Sequence, residues 1–424
     1  MLREFRKLYK DRHGDLTGFE SIGPFVELLQ ETGVYAHFKT ITEGATEPVC
    51  TIDGEQKLMF CANNYLSLSE HEDVKQAAKD AIDKYGLGPG GSRVISGNID
   101  IIEELEASIA ELTGTEDCLT FPTGYMVNVS ILQALVEPFF LGMPVKKASG
   151  ALFLDEFNHG SIVDGCCLTN APVYYYKHND LAALDEKLAA CDAPNKLIVT
   201  EGVYSLEGTI ADIPAYIALA KKHGAWLMVD DAHGIGVVGE RGGGVGEHFG
   251  CADGIDILMG CMDKALGGTG GYICGKKPLI DYLRVAMRSS VLSSAIPAGM
   301  AGGMIESIRH IRNDMDTRKM LFEKSAHLRE SLRLRGFTVL GMENIPSLPL
   351  FIGDEDLGVA FTDRLYERGI HCSLVRWPAT AQGKSRFRVI VMANHSYEHL
   401  DHFADSCEAI GRELGMLEPE TVLR

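Results

Sequence analysis

None of the 11 cysteines stands in a Cys-x-x-Cys spacing, so neither a zinc knuckle nor a dithiol redox motif is written in the chain. Cys166 and Cys167 are adjacent, a spacing that no standard zinc site uses. No set of metal ligands is read. Scattered cysteines of this kind fit a reducing compartment. Basic residues are in deficit, with 40 Lys and Arg against 59 Asp and Glu and a formal net charge of −19. Such a surface repels a phosphodiester backbone, which argues against nucleic-acid binding. No apolar run approaches the ~18 residues of a spanning helix. The uncharged stretch 289–305 is broken by Ser, Gly and Pro. The first residues lack the apolar core of a secretory signal. A cytoplasmic protein, at most peripheral on the inner membrane, is expected.

What is present is ordinary globular composition, 46% hydrophobic and 23% charged, over 424 residues. This length suits a large α/β domain with an appendage and needs no disulfide or metal to fold. Between about residues 100 and 280, apolar strands alternate with helical periodicity. Helices are predicted over 101–112, 181–190 and 213–223, and strands over 151–154, 173–177, 197–200, 226–229 and 256–260. That alternation means βαβ units and a mostly parallel sheet, with functional groups just past the carboxyl ends of strands. Beyond 300 the texture changes to a long helix over 301–335, strands over 337–340, 348–352 and 387–392, and helices over 363–368 and 397–414. The expected organisation is an N-terminal arm (1–55), a large domain (56–300) and a smaller C-terminal α+β domain (301–424). The arm opens with a basic amphipathic helix over 1–13, carrying Arg3, Arg6, Lys7, Lys10 and Arg12. It could pack on the body, on a dimer partner or on an anionic membrane.

Two glycine motifs are set aside. Gly86–Gly91 matches G-x-G-x-x-G but follows a helical segment, whereas the dinucleotide fingerprint follows a strand. Gly270–Lys276 lacks the Ser or Thr of a phosphate-binding loop, because Lys277 stands there. The sharper feature is Val229-Asp-Asp-Ala-His-Gly234 at a strand end, followed by Lys264 in a second strand-to-glycine-loop segment. A lysine there can reach a flat cofactor, and an acid at a neighbouring strand end can hold a pyridine nitrogen protonated. Pyridoxal phosphate enzymes need that pair.

Phe60-Cys-Ala-Asn-Asn-Tyr-Leu66, Gly90-Gly-Ser-Arg93, Thr123-Gly-Tyr125, Asp155 with Asn158-His-Gly-Ser161, His178-Asn-Asp180, Glu201-Gly-Val-Tyr-Ser205, the Val229–Gly234 run and Lys264 all fall in one order. In that order the chain resembles the α-oxoamine synthases, fold type I pyridoxal-phosphate enzymes, from about residue 40 to 415. The resemblance implies pyridoxal 5'-phosphate as cofactor, with Lys264 as the Schiff-base lysine and proton shuttle. It implies Asp230 as partner of the ring nitrogen, His233 as donor to the ring hydroxyl and His159 stacked on the ring. Backbone N–H groups of Gly124 and Tyr125 would hold the phosphate, with Ser294 reaching it from a neighbouring subunit of a homodimer. Glu201 and Ser205 would support the cofactor, and Asn63 would contact substrate. The family usually carries hydroxyl residues where this chain has Cys261 and Asp263, so phosphate anchoring is expected to lean on Gly124, Tyr125 and Ser294.

The segment Leu374-Val-Arg-Trp-Pro-Ala-Thr380 resembles the serine palmitoyltransferases of bacteria. That resemblance implies condensation of L-serine with a long-chain acyl-CoA or acyl-carrier-protein thioester, giving 3-oxosphinganine, carbon dioxide and free thiol. Arg376 is then the ligand of the amino-acid carboxylate, with Arg386 or Arg388 as a second candidate. The alternatives are a sibling enzyme using glycine or alanine with another acyl-CoA, and a non-catalytic partner subunit. The presence of Lys264 argues against the second.

Overall fold

Seven strands, all but the edge strand Val173–Tyr176 buried along most of their length, form the central sheet in the computed structural model, which describes residues 2–15, 18–31, 39–44, 46–137, 139–140, 143–144, 150–377 and 379–417. In chain order they are β1 (Asp117–Phe121), β2 (Gly150–Asp155), β3 (Val173–Tyr176), β4 (Asn195–Glu201), β5 (Trp226–Asp230), β6 (Ile257–Cys261) and β7 (Gly271–Gly275). Their spatial order is β1-β7-β6-β5-β4-β2-β3. All neighbours are parallel except β7, which runs antiparallel to both β6 and β1. Continuous apolar strands such as Ala151–Leu154 are what a sheet covered on both faces requires. The fold class read from the sequence, a large α/β domain on a mostly parallel sheet, is the one observed.

Two sheet strands escaped the sequence pattern. β1 follows a helix after a single turn, and β7 (Gly-Tyr-Ile-Cys-Gly) reads as loop because glycine weakens strand propensity. Its Gly271 is required by packing, because a Cβ there would lie 2.5 Å from the Cα of Gly124.

Among the helices are α1 (Leu2–His13), α2 (Ile22–Glu31), α3 (Glu72–Tyr85), α4 (Asp100–Thr113), α5 (Gly124–Val136), α6 (Gly160–Cys167), α7 (Leu181–Ala189) and α8 (Ile213–His223). Further on come α9 (Ala298–Asn313), α10 (Met315–Leu334), α11 (Glu355–Glu367) and α12 (Tyr397–Glu413). The long helix expected over 301–335 is two. Asp314 ends α9 and caps α10, its carboxylate accepting from the Thr317 N–H at 3.0 Å. The strand expected over 337–340 reduces to one bridge, Val339 opposite Leu350. Beyond α10, β8 (Ser347–Gly353), β9 (Ser373–Val375) and β10 (Ser385–Ile390) form an antiparallel sheet with β10 in the middle.

The N-terminal strand Glu55–Met59 pairs in parallel with Ile370–His371. The boundary drawn at 55/56 therefore falls within a strand, and the one at 300/301 falls within α9, which packs on α3 and α4. Helix α1 packs on α2, burying Tyr9 and Leu28 with Leu8, Phe25 and Leu29 around them. Lys10 pairs with Asp15 and Arg12 with Glu31. No helix among the described residues is long and apolar enough to cross a membrane.

Candidate active site

The carboxyl ends of β4, β5 and β6 bring the chemistry together. Asp230 closes β5 and is 5% exposed. Its Oδ2 accepts from Asn128 Nδ2 at 2.8 Å and its Oδ1 from the Ala232 N–H at 3.1 Å. Asp231 serves another purpose. Its Oδ2 accepts from the Val245 N–H at 2.8 Å, and Gly202, Gly234 and Gly244 close around it. Burial, then the charge of Asp230, raises its pKa well above the ordinary carboxylate value. The adjacent acids thus divide, one held at the site and one fastening the loop after β5.

His233 Nδ1 lies 2.9 Å from the Tyr65 hydroxyl. Burial, then the positive charges of Lys264 and Arg388, lower its pKa well below the usual value, so its imidazole is neutral at pH 7. Lys264, in the loop after β6, has a side chain 11% exposed and its Nζ 3.4 Å from Asp263 Oδ1. Burial opposes its charge, but Cys261, Asp263 and Asp230 outweigh that and raise its pKa. Glu201 ends β4, and burial, then Asp230, raises its pKa well above the ordinary value. Ser205 is buried, with Arg388 Nη1 3.5 Å from its hydroxyl.

His159 caps α6 and its ring is open to solvent. Its Nδ1 is 2.8 Å from Ser161 Oγ and accepts from the Ser161 N–H at 3.3 Å. Ser161 Oγ in turn accepts from Asn128 Nδ2 at 3.0 Å. With Asn128 donating, the serine proton points to Nδ1, and the proton of a neutral His159 belongs on Nε2. Asp230, Asn128, Ser161 and His159 therefore form one hydrogen-bonded chain. Asn128 and Tyr65 were not singled out in the sequence. For Asn128 the available signal was a polar residue among the apolar residues of a helix, which is informative when buried.

The start of α5 is capped by Thr123, whose hydroxyl accepts from the Met126 N–H at 3.2 Å. The first-turn N–H groups of Gly124 and Tyr125 have no partner within the helix, which makes that end an anion site. Gly124 must be glycine, because a Cβ would meet Cys261 Sγ at 2.1 Å. Burial pushes the Cys261 thiol up to about 12, so it stands by this helix end as a neutral group. Asp263 is half exposed and beside Lys264. Tyr125 is exposed and its hydroxyl donates to Asp164. Ser294 lies exposed between Leu292 and α9.

Of the three arginines, Arg376 has an enclosed Nη1 with no hydrogen-bond partner. Pro378 of its segment lies outside the described residues. Arg386 departs from expectation as a carboxylate ligand. Its guanidinium donates to the Leu206 carbonyl at 3.1 Å and Thr380 Oγ1 at 3.2 Å, and it lies 3.7 Å from Glu207. Its charge is already committed. Arg388, two residues along the same face of β10, is the one whose charge bears on Tyr65 and His233.

These groups fit pyridoxal phosphate on their own chemistry. An amine, a buried carboxylate held by two donors and a helix N-terminus provide for aldehyde, ring nitrogen and phosphate. The enclosed Asn63 Oδ1 and Arg376 Nη1 are polar atoms left without protein partners, as a site for a polar ligand requires.

Residues 55–406 match the family "Aminotransferase class I and II". A putative 8-amino-7-oxononanoate synthase of Acetivibrio thermocellus is 37% identical over 390 residues, covering 92% of this chain and 97% of that protein. An 8-amino-7-oxononanoate synthase of Citrifermentans bemidjiense is 38% identical over 396 residues, covering 92% and 98%. Among solved structures, a Sphingomonas wittichii serine palmitoyltransferase superposes with a TM-score of 0.87 at 30% identity, over 95% of this chain and 99% of that one. The chain belongs to the aminotransferase class I and II family, with the fold type I architecture. Within it the chain is a pyridoxal-phosphate-dependent α-oxoamine synthase, an enzyme of the acyltransferase type.

Proposed function

We propose that the chain condenses L-alanine with the thioester of a dicarboxylic acid, with loss of carbon dioxide, the reaction type that yields an 8-amino-7-oxononanoate. The observation that carries this reading is the identity of 35–38% to synthases of that product over at least 92% of the chain. The product's name fixes the donors. Its amine-bearing carbon with a terminal methyl is what alanine leaves after decarboxylation, and its other end keeps a carboxylate.

When bound, pyridoxal phosphate supplies an aldehyde for attachment and a ring that takes up electrons. The protein supplies the rest. Lys264 carries the cofactor and moves the α-proton, a positioned transfer typically worth ~10²–10⁴-fold. With pyridoxal phosphate bound, Asp230 would keep the ring nitrogen protonated, neutral His233 would donate to the ring hydroxyl and His159 would pack against the ring. The N–H groups of Gly124 and Tyr125 would take the phosphate, and Glu201 and Ser205 would support the cofactor. Asn63 and Arg376 face the amino acid. A second protomer completes the site through Ser294. In support, Leu87, Ile95 and Leu292 are exposed apolar residues on segments joined by the Ala295 N–H to Gly91 carbonyl bond.

L-serine with a long-chain acyl thioester is the second reading, favoured by the Leu374–Thr380 segment. It brings the proposal of peripheral membrane contact through residues 1–13. Vesicle co-sedimentation that deletion of 1–13 abolishes would support that contact. An amino-acid panel separates the two readings. Alanine is expected to perturb the visible spectrum of the cofactor-loaded enzyme and to give a condensed product with a dicarboxylic monothioester. Product from serine and palmitoyl thioester alone would overturn the first reading.

Arg376→Ala is expected to raise KM for the amino acid about ten- to a hundredfold, as a charge-assisted contact of ~1.5–3 kcal/mol implies, with cofactor affinity unchanged. Arg386→Gln is expected to lower Tm and leave that KM within about twofold, because its partners are protein groups. The reverse pattern in amino-acid titrations would exchange the two roles.

A further inference from the structure

The first turn of α3 and the last turn of α9 meet at an open polar cavity of about 460 Å³, whose walls include Glu47, Glu70, His71 and His310. His71 caps α3 by accepting the Asp73 N–H at its Nδ1, 3.3 Å, which leaves Nε2 available. Asp73 Oδ2 is 3.4 Å from His310 Nε2 and 4.0 Å from His71 Nδ1. The two imidazole rings are 4.1 Å apart between centroids. One ligand atom from each of the three residues lies within 4.8 Å of the other two.

Two further observations point to a cation. His310 Nε2 is enclosed and makes no hydrogen bond, although Glu306 Oε1 is only 3.2 Å away. Glu47 Oε1, on the same cavity, is also enclosed and unpartnered. His310 Nε2 and Asp73 Oδ2 thus face each other beside the His71 ring, at the wall of the cavity. We propose that His71, Asp73 and His310 bind a divalent transition-metal cation, with Zn²⁺ as the probe, and that its open coordination position faces the cavity. Two imidazoles and one carboxylate are a donor set that Zn²⁺ takes. Metal–ligand bonds of ~2.0–2.1 Å put ligand atoms roughly 3.3 Å apart in a tetrahedron. The present spacing, within 4.8 Å, therefore closes by about 1.5 Å or less at side chains that are partly exposed. The ion would join the start of α3 to the end of α9. It needs neither the cofactor nor the proposed reaction.

The test uses the full-length, cofactor-loaded protein with its thiols alkylated, dialysed against a chelator and then titrated with Zn²⁺ against a chromogenic competitor. One equivalent per chain is expected. His310→Ala and Asp73→Asn should each weaken it at least ~10-fold, in line with metal-site substitutions, while the cofactor absorbance and Tm without metal show both variants folded. Co²⁺ should give a d–d spectrum without a thiolate band. No bound equivalent, or one that both variants keep, would overturn the proposal.

Discussion

Lys264→Ala is expected to abolish turnover and to remove the visible absorbance of the lysine-bound cofactor. The amine is at once the attachment point and the proton carrier, so the loss exceeds the ~10²–10⁴-fold of a proton-transfer group alone. The fold should survive. The partner of Nζ is Asp263, which is half exposed, and the buried Asp230 carboxylate keeps its two donors, Asn128 Nδ2 and the Ala232 N–H. Tm within a few degrees of the parent, with turnover below detection, is the expected pair of results. Condensation at the parent rate would end the reading of this loop as the cofactor's anchor.

Asp230→Asn is the second large effect. The amide preserves shape but not charge, and a ring nitrogen beside it is no longer held protonated. A loss of about 10²–10³-fold in kcat is expected, the scale of removing one preorganised electrostatic partner. One of the two donors now facing the carboxylate, Asn128 Nδ2 or the Ala232 N–H, would meet an NH₂ group, so stability should also fall by ~1–3 kcal/mol. Asp231→Asn is the control. It should lower Tm through the loop it fastens and leave kcat nearly intact. If Asp231→Asn were the variant that lost kcat, the two acids would exchange roles.

The sequence was most legible where one rule decided the outcome. The strand before Asp230 is an unbroken apolar run, and helix 213–223 has its apolar spacing and a Gly after it, so both emerged as expected. Strand β7 was not legible, because its glycines exist for contact with α5 and carry no strand signal. The break at Asp314 was a capping event inside a continuous charged pattern, where one aspartate looks like any other. At the site, Lys264, Asp230 and His233 stood out by their place after strands. Arg386 and Arg388 could not be told apart, since only the structure shows that Glu207 and the Leu206 carbonyl occupy the first. Asn128 was invisible for the opposite reason, since its role lies in what it joins.

That junction has a consequence for how the site can change. Asn128 donates one amide hydrogen to Asp230 and the other toward Ser161, which orders His159. A group on one face of the proposed ring and a group at its edge therefore share a single support. Substitution at Asn128 should disturb both together, and effects of Asp230 and His159 variants should be non-additive when combined with it. An attempt to retune one of these residues for a new amino-acid substrate would shift the other's geometry as well, so useful variants should arise in pairs rather than singly.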